Sequence, residues 1–162
     1  MSTTHLLIGP MNTKRLLIML ALVIGTLYAS DAHAQGCTIS ATSVNFGTYN
    51  VFNGSNVDST GTVTYRCNGS AHNITVGLTQ GASATFNPRQ MQKGAEALTY
   101  NLFLDASRSN IWGDGTSGTS VHQGGNPPNN TNVNVTVYGR VWAGQDVSAG
   151  AFSDTVTAVI NF

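Results

Sequence analysis

Beyond residue 35 the chain alternates apolar and polar residues in short runs, which is the period-two pattern of half-buried β-strands. Clusters of Gly, Asn, Asp and Pro separate the runs and favour turns. No helical periodicity of useful length is present, so the pattern predicts an all-β sandwich with its longest loop at 112–131. A further short strand is expected around Ile111 and Trp112. The six main predicted strands cover residues 37–46, 60–67, 73–79, 98–104, 133–141 and 152–162.

The last predicted strand keeps its alternation up to the end of the sequence. Terminal segments are commonly polar and frayed, whereas here the final residue is a large aromatic on the predicted buried face. Such a strand either pairs on both sides within a closed sandwich or leaves one edge open to a strand from another chain. The pattern leaves both alternatives open. The apolar face of this strand consists of Val156, Ala158, Ile160 and Phe162.

The N-terminal segment has the three parts of a secretory signal peptide. Basic residues at 14–15 precede an apolar run at 16–29, and the small-x-small sequence AHA follows at 32–34. The apolar run is short for a transmembrane helix, which needs about 20 apolar residues. We therefore predict a signal peptide at residues 1–34, cleavage between Ala34 and Gln35, and one exported domain at residues 35–162.

The predicted mature chain carries almost no net charge. Removing 34 residues from 162 leaves 128, which is enough for one domain with one core. This domain holds five basic and six acidic side chains among abundant Gly, Asn, Ser and Thr. Without a basic patch, we expect it to bind neither nucleic acid nor an anionic membrane surface. We also expect no membrane span once the signal peptide is removed.

Cys37 and Cys67 are the two cysteines of the chain. An even pair downstream of an export signal predicts a disulfide. Closing a loop of about 30 residues would stabilise the domain by roughly 3–4 kcal/mol in the chain-entropy model. A zinc site is the weaker alternative, because two isolated cysteines without a nearby pair of histidines do not complete a tetrahedral ligand set.

The sequence offers little for catalysis. His72 and His122 are isolated in turn-like contexts, and the carboxylates are scattered rather than paired for acid and base roles. No Gly-x-Ser-x-Gly nucleophile motif is present. We therefore predict that the protein is not an enzyme and has no catalytic residue, metal site or cofactor.

Two features of the long predicted loop have alternative interpretations. Asp114 lies between two glycines, which favours a tight turn capped by its carboxylate over a calcium site, because calcium needs six or more oxygen ligands. Trp112 and Trp142 favour packing in the core or at an interface, with a sugar-stacking platform as the alternative.

An ordered set of short motifs extends over the whole predicted mature chain, and together it resembles the spore coat protein U family. This family includes subunits of archaic chaperone–usher pili. No single motif is specific, but the set in this order is. It consists of CTI at 37–39, VNFGTY at 44–49, STGTV at 59–63, Cys67, RQM at 89–91, LTYNL at 98–102, WGDG at 112–115, VYGR at 137–140 and DTV at 154–156.

The resemblance implies an immunoglobulin-like β-sandwich that lacks its last strand. In the pilus members a periplasmic chaperone lends a strand, and the N-terminal extension of the next subunit then replaces it beside the subunit's own final strand. The family also implies a disulfide between the first strand and the end of the second, which fits Cys37 and Cys67. The implied donor-strand groove would be lined by Val156, Ala158, Ile160 and Phe162.

The predicted mature chain departs from a polymerising subunit in one respect. Only Gln35 and Gly36 separate the predicted cleavage site from Cys37, and two residues span at most about 7 Å. So short a segment cannot fill the groove of a neighbouring subunit. We therefore expect a chain that accepts a donor strand without supplying one, which suits a tip or terminal subunit, or a stand-alone secreted member.

The resemblance predicts an exported structural or adhesive subunit of a surface fibre. Its expected partners are a periplasmic chaperone, an usher and other pilus subunits that add strands. It would reach the cell surface through the periplasm. The alternative is a free-standing secreted coat or matrix protein, or a carbohydrate-binding module, whose sandwich closes on itself.

We predict that the mature protein begins at Gln35. N-terminal sequencing or the intact mass of the exported protein tests this directly. Ala34→Leu should block processing, because the last position before cleavage requires a small residue. A mature chain that begins well upstream of Gln35 would contradict the prediction and would leave room for a donor segment.

Overall fold

A computed structural model describes residues 36–69 and 71–162, and over these residues it contains eight strands and no helix. The predicted signal peptide, its cleavage site and Gln35 lie outside the described residues. The strands are β1 (Gly36–Thr42), β2 (Val57–Asn68), β3 (Ile74–Leu78), β4 (Arg89–Lys93), β5 (Glu96–Phe103), β6 (His122–Gly125), β7 (Asn132–Val141) and β8 (Ala158–Asn161).

The strands form two antiparallel sheets that enclose one core. The larger sheet has five strands in the order β1-β2-β7-β5-β4, and the smaller has three in the order β6-β3-β8. Inward-facing residues of both sheets alternate with outward-facing polar residues, as expected for strands buried on one side. The predicted all-β sandwich is confirmed. The buried core includes Val63, Tyr65, Ile74, Val76, Leu78, Leu98, Tyr100, Leu102, Trp112, Val137 and Val141.

Two short strands, β4 and β6, are absent from the predicted set. β4 has the sequence RQMQK, with Met91 as its one apolar residue, and β6 has the sequence HQGG, which has none. Neither carries an alternating apolar face, so the period-two pattern does not reveal them; each lies at the edge of a sheet with a single strand neighbour. The predicted loop at 112–131 therefore contains a strand. The expected short strand around Ile111 and Trp112 is present only as isolated bridges to Phe103 and Ser120.

The last predicted strand switches from one sheet to the other. Ser153 exchanges two backbone hydrogen bonds with Gln92 of β4, with N···O distances of 2.8 and 3.2 Å. Farther along, the Thr157 carbonyl accepts a hydrogen bond from the Thr79 amide, and β8 then pairs with β3. The side chains keep facing the core while the pairing partner changes, so the alternation continues through 152–160 although the regular strand covers only β8.

The predicted disulfide joins the first two strands. Cys37 in β1 lies directly opposite Cys67 in β2, and their sulfur atoms are bonded. Cys67 is buried in the core, and Cys37 packs against it. The bond therefore fixes β1, one of the two edge strands of the larger sheet, at the end where the described chain begins.

Trp112 is a core residue and not part of a sugar-binding platform. Its side chain is 0% exposed, and its indole Nε1 donates a 2.8 Å hydrogen bond to the carbonyl of Val76. His122 packs beside the Trp112 ring, and burial lowers the pKa of this imidazole. Asp114 accepts hydrogen bonds from the amide and hydroxyl of Thr116, at 2.9 and 2.6 Å, so it caps a turn.

A buried arginine connects the two sheets. Arg89 in β4 is 0% exposed, and its guanidinium donates to the Thr79 carbonyl at 3.1 and 2.9 Å and to the Trp112 carbonyl at 2.7 Å. A further 2.7 Å bond goes to the side-chain oxygen of Asn101, which is also fully buried. Burial lowers the pKa of Arg89, and its stacking over the Phe86 ring covers one face of the guanidinium.

We expect Arg89→Ala to destabilise the domain by about 3–5 kcal/mol, because it leaves several buried oxygen atoms without donors. Urea unfolding monitored by Trp fluorescence measures this. Arg66→Ala is the matched control, since Arg66 is exposed and its loss should change the free energy of unfolding by less than about 0.5 kcal/mol. Equal effects of the two substitutions would contradict the structural role of Arg89.

Candidate strand-binding groove

A groove separates two extended segments of the chain on one side of the sandwich. We call residues 41–51 the first lip and residues 147–158 the second lip. The groove consists of two cavities of about 430 and 630 Å³ that share Phe46, Met91 and Phe152 among their lining residues. The two cavities are therefore adjacent parts of one groove.

The two lips run in opposite directions along the groove. Residues 41–44 face residues 154–158 across the smaller cavity, and residues 45–51 face residues 147–152 across the larger one. Beyond the smaller cavity β1 and β8 approach each other, with Cα atoms within 8 Å. The groove is consequently bounded at this end by the two strands and is wider at the other.

The floor of the groove is mainly apolar, and its walls carry both apolar and polar side chains. The first lip lies across the inner face of the larger sheet where that sheet has glycines: a Cβ on Gly139 would lie 2.7 Å from the side chains of Val44 and Phe46, and one on Gly61 would lie 2.8 Å from Val44. Only glycine permits so close an approach. Floor residues are Val63, Leu78, Met91, Leu98, Tyr100, Leu102, Val137 and Val141.

Both lips contain backbone N–H and C=O groups that are not paired in a strand ladder. Residues 43–50 belong to no strand, and within the described chain no backbone hydrogen bond joins the first lip to the second. β8 pairs with β3 on one side only, in the part of the chain that the structure describes. An extended peptide placed between the lips would therefore find unpaired N–H and C=O groups on both sides and apolar side chains below.

A tyrosine–aspartate pair anchors the second lip to the larger sheet. The Tyr100 hydroxyl in β5 donates a 2.6 Å hydrogen bond to Oδ2 of Asp154. Oδ1 of Asp154 accepts from the amides of Ala82 and Thr155, at 2.8 and 2.7 Å. Burial, and then the bond to the Asp154 carboxylate, raise the pKa of Tyr100 well above its usual range.

Polar contacts also hold the lips at the wide end. The Lys93 ammonium donates to the Ala149 carbonyl at 2.9 Å and lies 5.2 Å from the centre of the Phe152 ring. Across the groove, the Tyr49 hydroxyl accepts a 2.8 Å hydrogen bond from the Gln145 amide. These contacts fix the course of both lips where they lie outside the strand ladders.

Comparison with known proteins identifies the family. The family model of the Spore Coat Protein U domain matches residues 23–159. The chain belongs to the Spore Coat Protein U domain family. Protein U of Myxococcus xanthus is 37% identical to it over 132 residues, which cover 74% of this chain and 71% of Protein U.

A solved structure resembles this Spore Coat Protein U domain in fold. It is the pre-assembly complex of CsuC and CsuE, a chaperone and a tip adhesion subunit, from the archaic chaperone–usher Csu pili of Acinetobacter baumannii. The TM-score is 0.56 at 26% sequence identity, and the match covers 79% of this chain. The chain spans 40% of the length of the chain that it matches there.

The four sequence-predicted groove residues do not all line the groove of this Spore Coat Protein U domain. Val156 and Ala158 line the smaller cavity. Ile160 lies farther along β8 and packs against the core, outside both cavities. Phe162 follows β8 and is 56% exposed, so the expectation that it lies on the buried face differs from the structure.

Sequence reasoning missed the first lip as a wall of the groove. Val44 and Phe46 alternate with polar residues, which led us to predict one continuous strand at 37–46, yet β1 ends at Thr42. A signal was present in Gly61 and Gly139, since glycines inside two strands indicate a close approach of other groups. The role of Tyr100 and Asp154 depends on a contact between distant residues, for which the sequence gives no local sign.

The Spore Coat Protein U domain offers a groove suited to a peptide strand. Among residues 36–69 and 71–162, no group of three or more His, Cys, Asp or Glu side chains is placed to hold a metal ion. The same residues contain no helix long and apolar enough to cross a membrane. What the site does present is apolar surface beside free backbone, which is the combination that strand addition uses.

We expect Tyr100→Phe to destabilise the domain by about 1.5–3 kcal/mol, because it removes a hydrogen bond to a carboxylate that is partly buried. Hydrogen exchange at residues 155–157 should accelerate, since the second lip loses its tie to β5. Tyr138→Phe is the control, because the Tyr138 ring lies on the outer face of the sheet under Arg108. Unchanged exchange at 155–157 in Tyr100→Phe would show that the pair does not position the lip.

Proposed function

We propose that this protein is a structural subunit of a surface fibre of the archaic chaperone–usher kind, and that it accepts a donor strand in the groove between its two lips. The observation that carries the proposal is the apolar groove flanked by two extended segments with unpaired backbone. Membership of the Spore Coat Protein U domain family and the likeness to a chaperone–tip adhesion subunit complex support it.

The proposed mechanism is strand addition. A donor strand inserted between the lips would supply backbone hydrogen bonds to residues 43–50 on one side and to the second lip on the other. Alternate donor side chains would enter the groove, and each fully buried large apolar side chain contributes about 1.5–3 kcal/mol. Since the side-chain period is two, a slip of one residue would turn the apolar side chains towards solvent.

We propose two successive sources for this strand. A periplasmic chaperone would occupy the groove first, which would keep the subunit soluble by covering apolar surface. A neighbouring subunit would then replace the chaperone during export through an usher to the cell surface. The proposal assigns the protein a structural or adhesive role and no catalytic one.

The proposed place in the fibre is the tip or another terminal position. If cleavage follows Ala34, only Gln35 precedes β1, and β1 is fastened to β2 through Cys37 and Cys67. A segment held in this way is not available to fill the groove of a neighbour.

A donor strand supplied in cis tests the proposal. We expect that fusing an eight-residue strand of alternating Val and Thr after Phe162, through a short flexible linker, raises Tm by about 10 °C or more. Differential scanning calorimetry of the mature domain with and without the fused strand measures this.

Two matched substitutions show whether the gain arises in the groove. Val156→Asp places a charge in the smaller cavity and should abolish the gain in Tm from the fused strand. Val159→Asp changes the same residue type on the exposed face of β8 and should preserve it. A domain that is monomeric and stable alone, with no gain from any fused strand, would instead favour a free-standing secreted protein with a closed sandwich.

A further inference from the structure

Asp154 is the one charged residue among the described residues that line the groove. It lies on the second lip between Phe152 and Val156, on the same inward-facing side as both. The inward-facing residues on either side of it, Phe152 and Val156, are apolar, and the Tyr100 hydroxyl lies against its carboxylate. Asp154 is thus an anionic position between apolar ones on the inward-facing side of the second lip.

The carboxylate of Asp154 is held in place by hydrogen bonds and can accept a further one. It accepts three hydrogen bonds, from the Tyr100 hydroxyl and from the amides of Ala82 and Thr155. An ionised carboxylate offers about four acceptor positions, so about one remains. An inserted strand would exclude water from the groove, and a carboxylate deprived of water without a compensating donor is costly.

An apolar groove alone does not define the register of a donor strand. Because the side-chain period is two, a shift by two residues again places the inward-facing side chains over apolar surface. One polar position removes this degeneracy, as a single buried Asn fixes the register of a coiled coil. The place where the strand meets Asp154 differs chemically from every other inward-facing position.

We propose that Asp154 sets the register of the donor strand, and that the strand residue facing it carries a neutral hydrogen-bond donor, namely Ser, Thr or Asn. This inference rests on the proposed function. An acidic residue at the facing position is excluded, because two carboxylates would meet in a desolvated space. A neutral donor is preferred to Lys or Arg, because the desolvation penalty of burying a further charge in the groove can exceed its Coulombic attraction to Asp154.

A guest-residue scan of the fused strand tests the inference. In the eight-residue strand of alternating Val and Thr, each of the four inward-facing Val positions is replaced in turn by Ser or by Asp, and Tm is measured. We expect one position at which Ser gives a Tm higher than Val by about 3 °C or more and Asp gives the lowest value. At the other three positions Val should give the highest Tm.

Asp154→Asn provides the reciprocal measurement. The amide keeps the shape of the side chain and its carbonyl can still accept from the amides of Ala82 and Thr155. In this variant the difference between Ser and Asp at the selected position should fall to less than half of its wild-type value. If the variant does not fold without a strand, the positional scan in the wild-type domain decides alone.

The outcomes separate this inference from the proposed function. If no fused strand raises Tm, strand acceptance itself fails. If the Val/Thr strand raises Tm but Val is best at all four positions, strand acceptance stands and the role of Asp154 is overturned. A preference for Ser that is unchanged in Asp154→Asn would also overturn it.

Discussion

The buried guanidinium of Arg89 joins parts of the molecule that no strand ladder connects. Thr79 follows β3 of the smaller sheet, Asn101 belongs to β5 of the larger sheet, and Trp112 lies in the segment that leads to β6. Among the described residues, no carboxylate oxygen lies within 4.0 Å of Arg89, so neutral oxygen atoms satisfy its donors. Because a buried charge is tolerated only when its hydrogen bonds are made, this cluster fixes the distance between the sheets.

The Arg89 cluster matters because the two sides of the sandwich differ in the backbone hydrogen bonds that hold them together. On one side, the pairing of Ser153 with Gln92 and of β8 with β3 carries the last part of the chain from one sheet to the other. On the other side, the lips are joined by no backbone hydrogen bond in the described chain, and apolar side chains face the groove. Domains are stabilised by only about 5–15 kcal/mol, so loss of the disulfide or of the Arg89 hydrogen bonds would remove a substantial part of the stability.

The sequence predicts the parts of this fold whose determinants are local. Long strands with one buried face, such as β2 and β7, have alternating apolar residues. The disulfide is predicted because an even pair of cysteines lies downstream of an export signal. β4 and β6 escape this reasoning because their sequences carry no alternating apolar face, and Arg89 resembles a surface residue in sequence although it is buried. The donor-strand groove stays a prediction: Val156 and Ala158 line the smaller cavity, whereas the opposite wall was not anticipated because it depends on how residues 41–51 cross the sheet.

If the groove accepts a donor strand as proposed, folding and assembly are the same physical process. A strand that enters the groove would form the backbone hydrogen bonds and apolar contacts that a complete sandwich forms within its own chain. A partner that binds only the folded state stabilises it by RT ln(1 + [L]/Kd), so the stability of the domain would rise with the strength of the joint. Under the proposed function, the donor strand would be an extended segment with apolar residues at alternate positions and one polar residue where it meets Asp154.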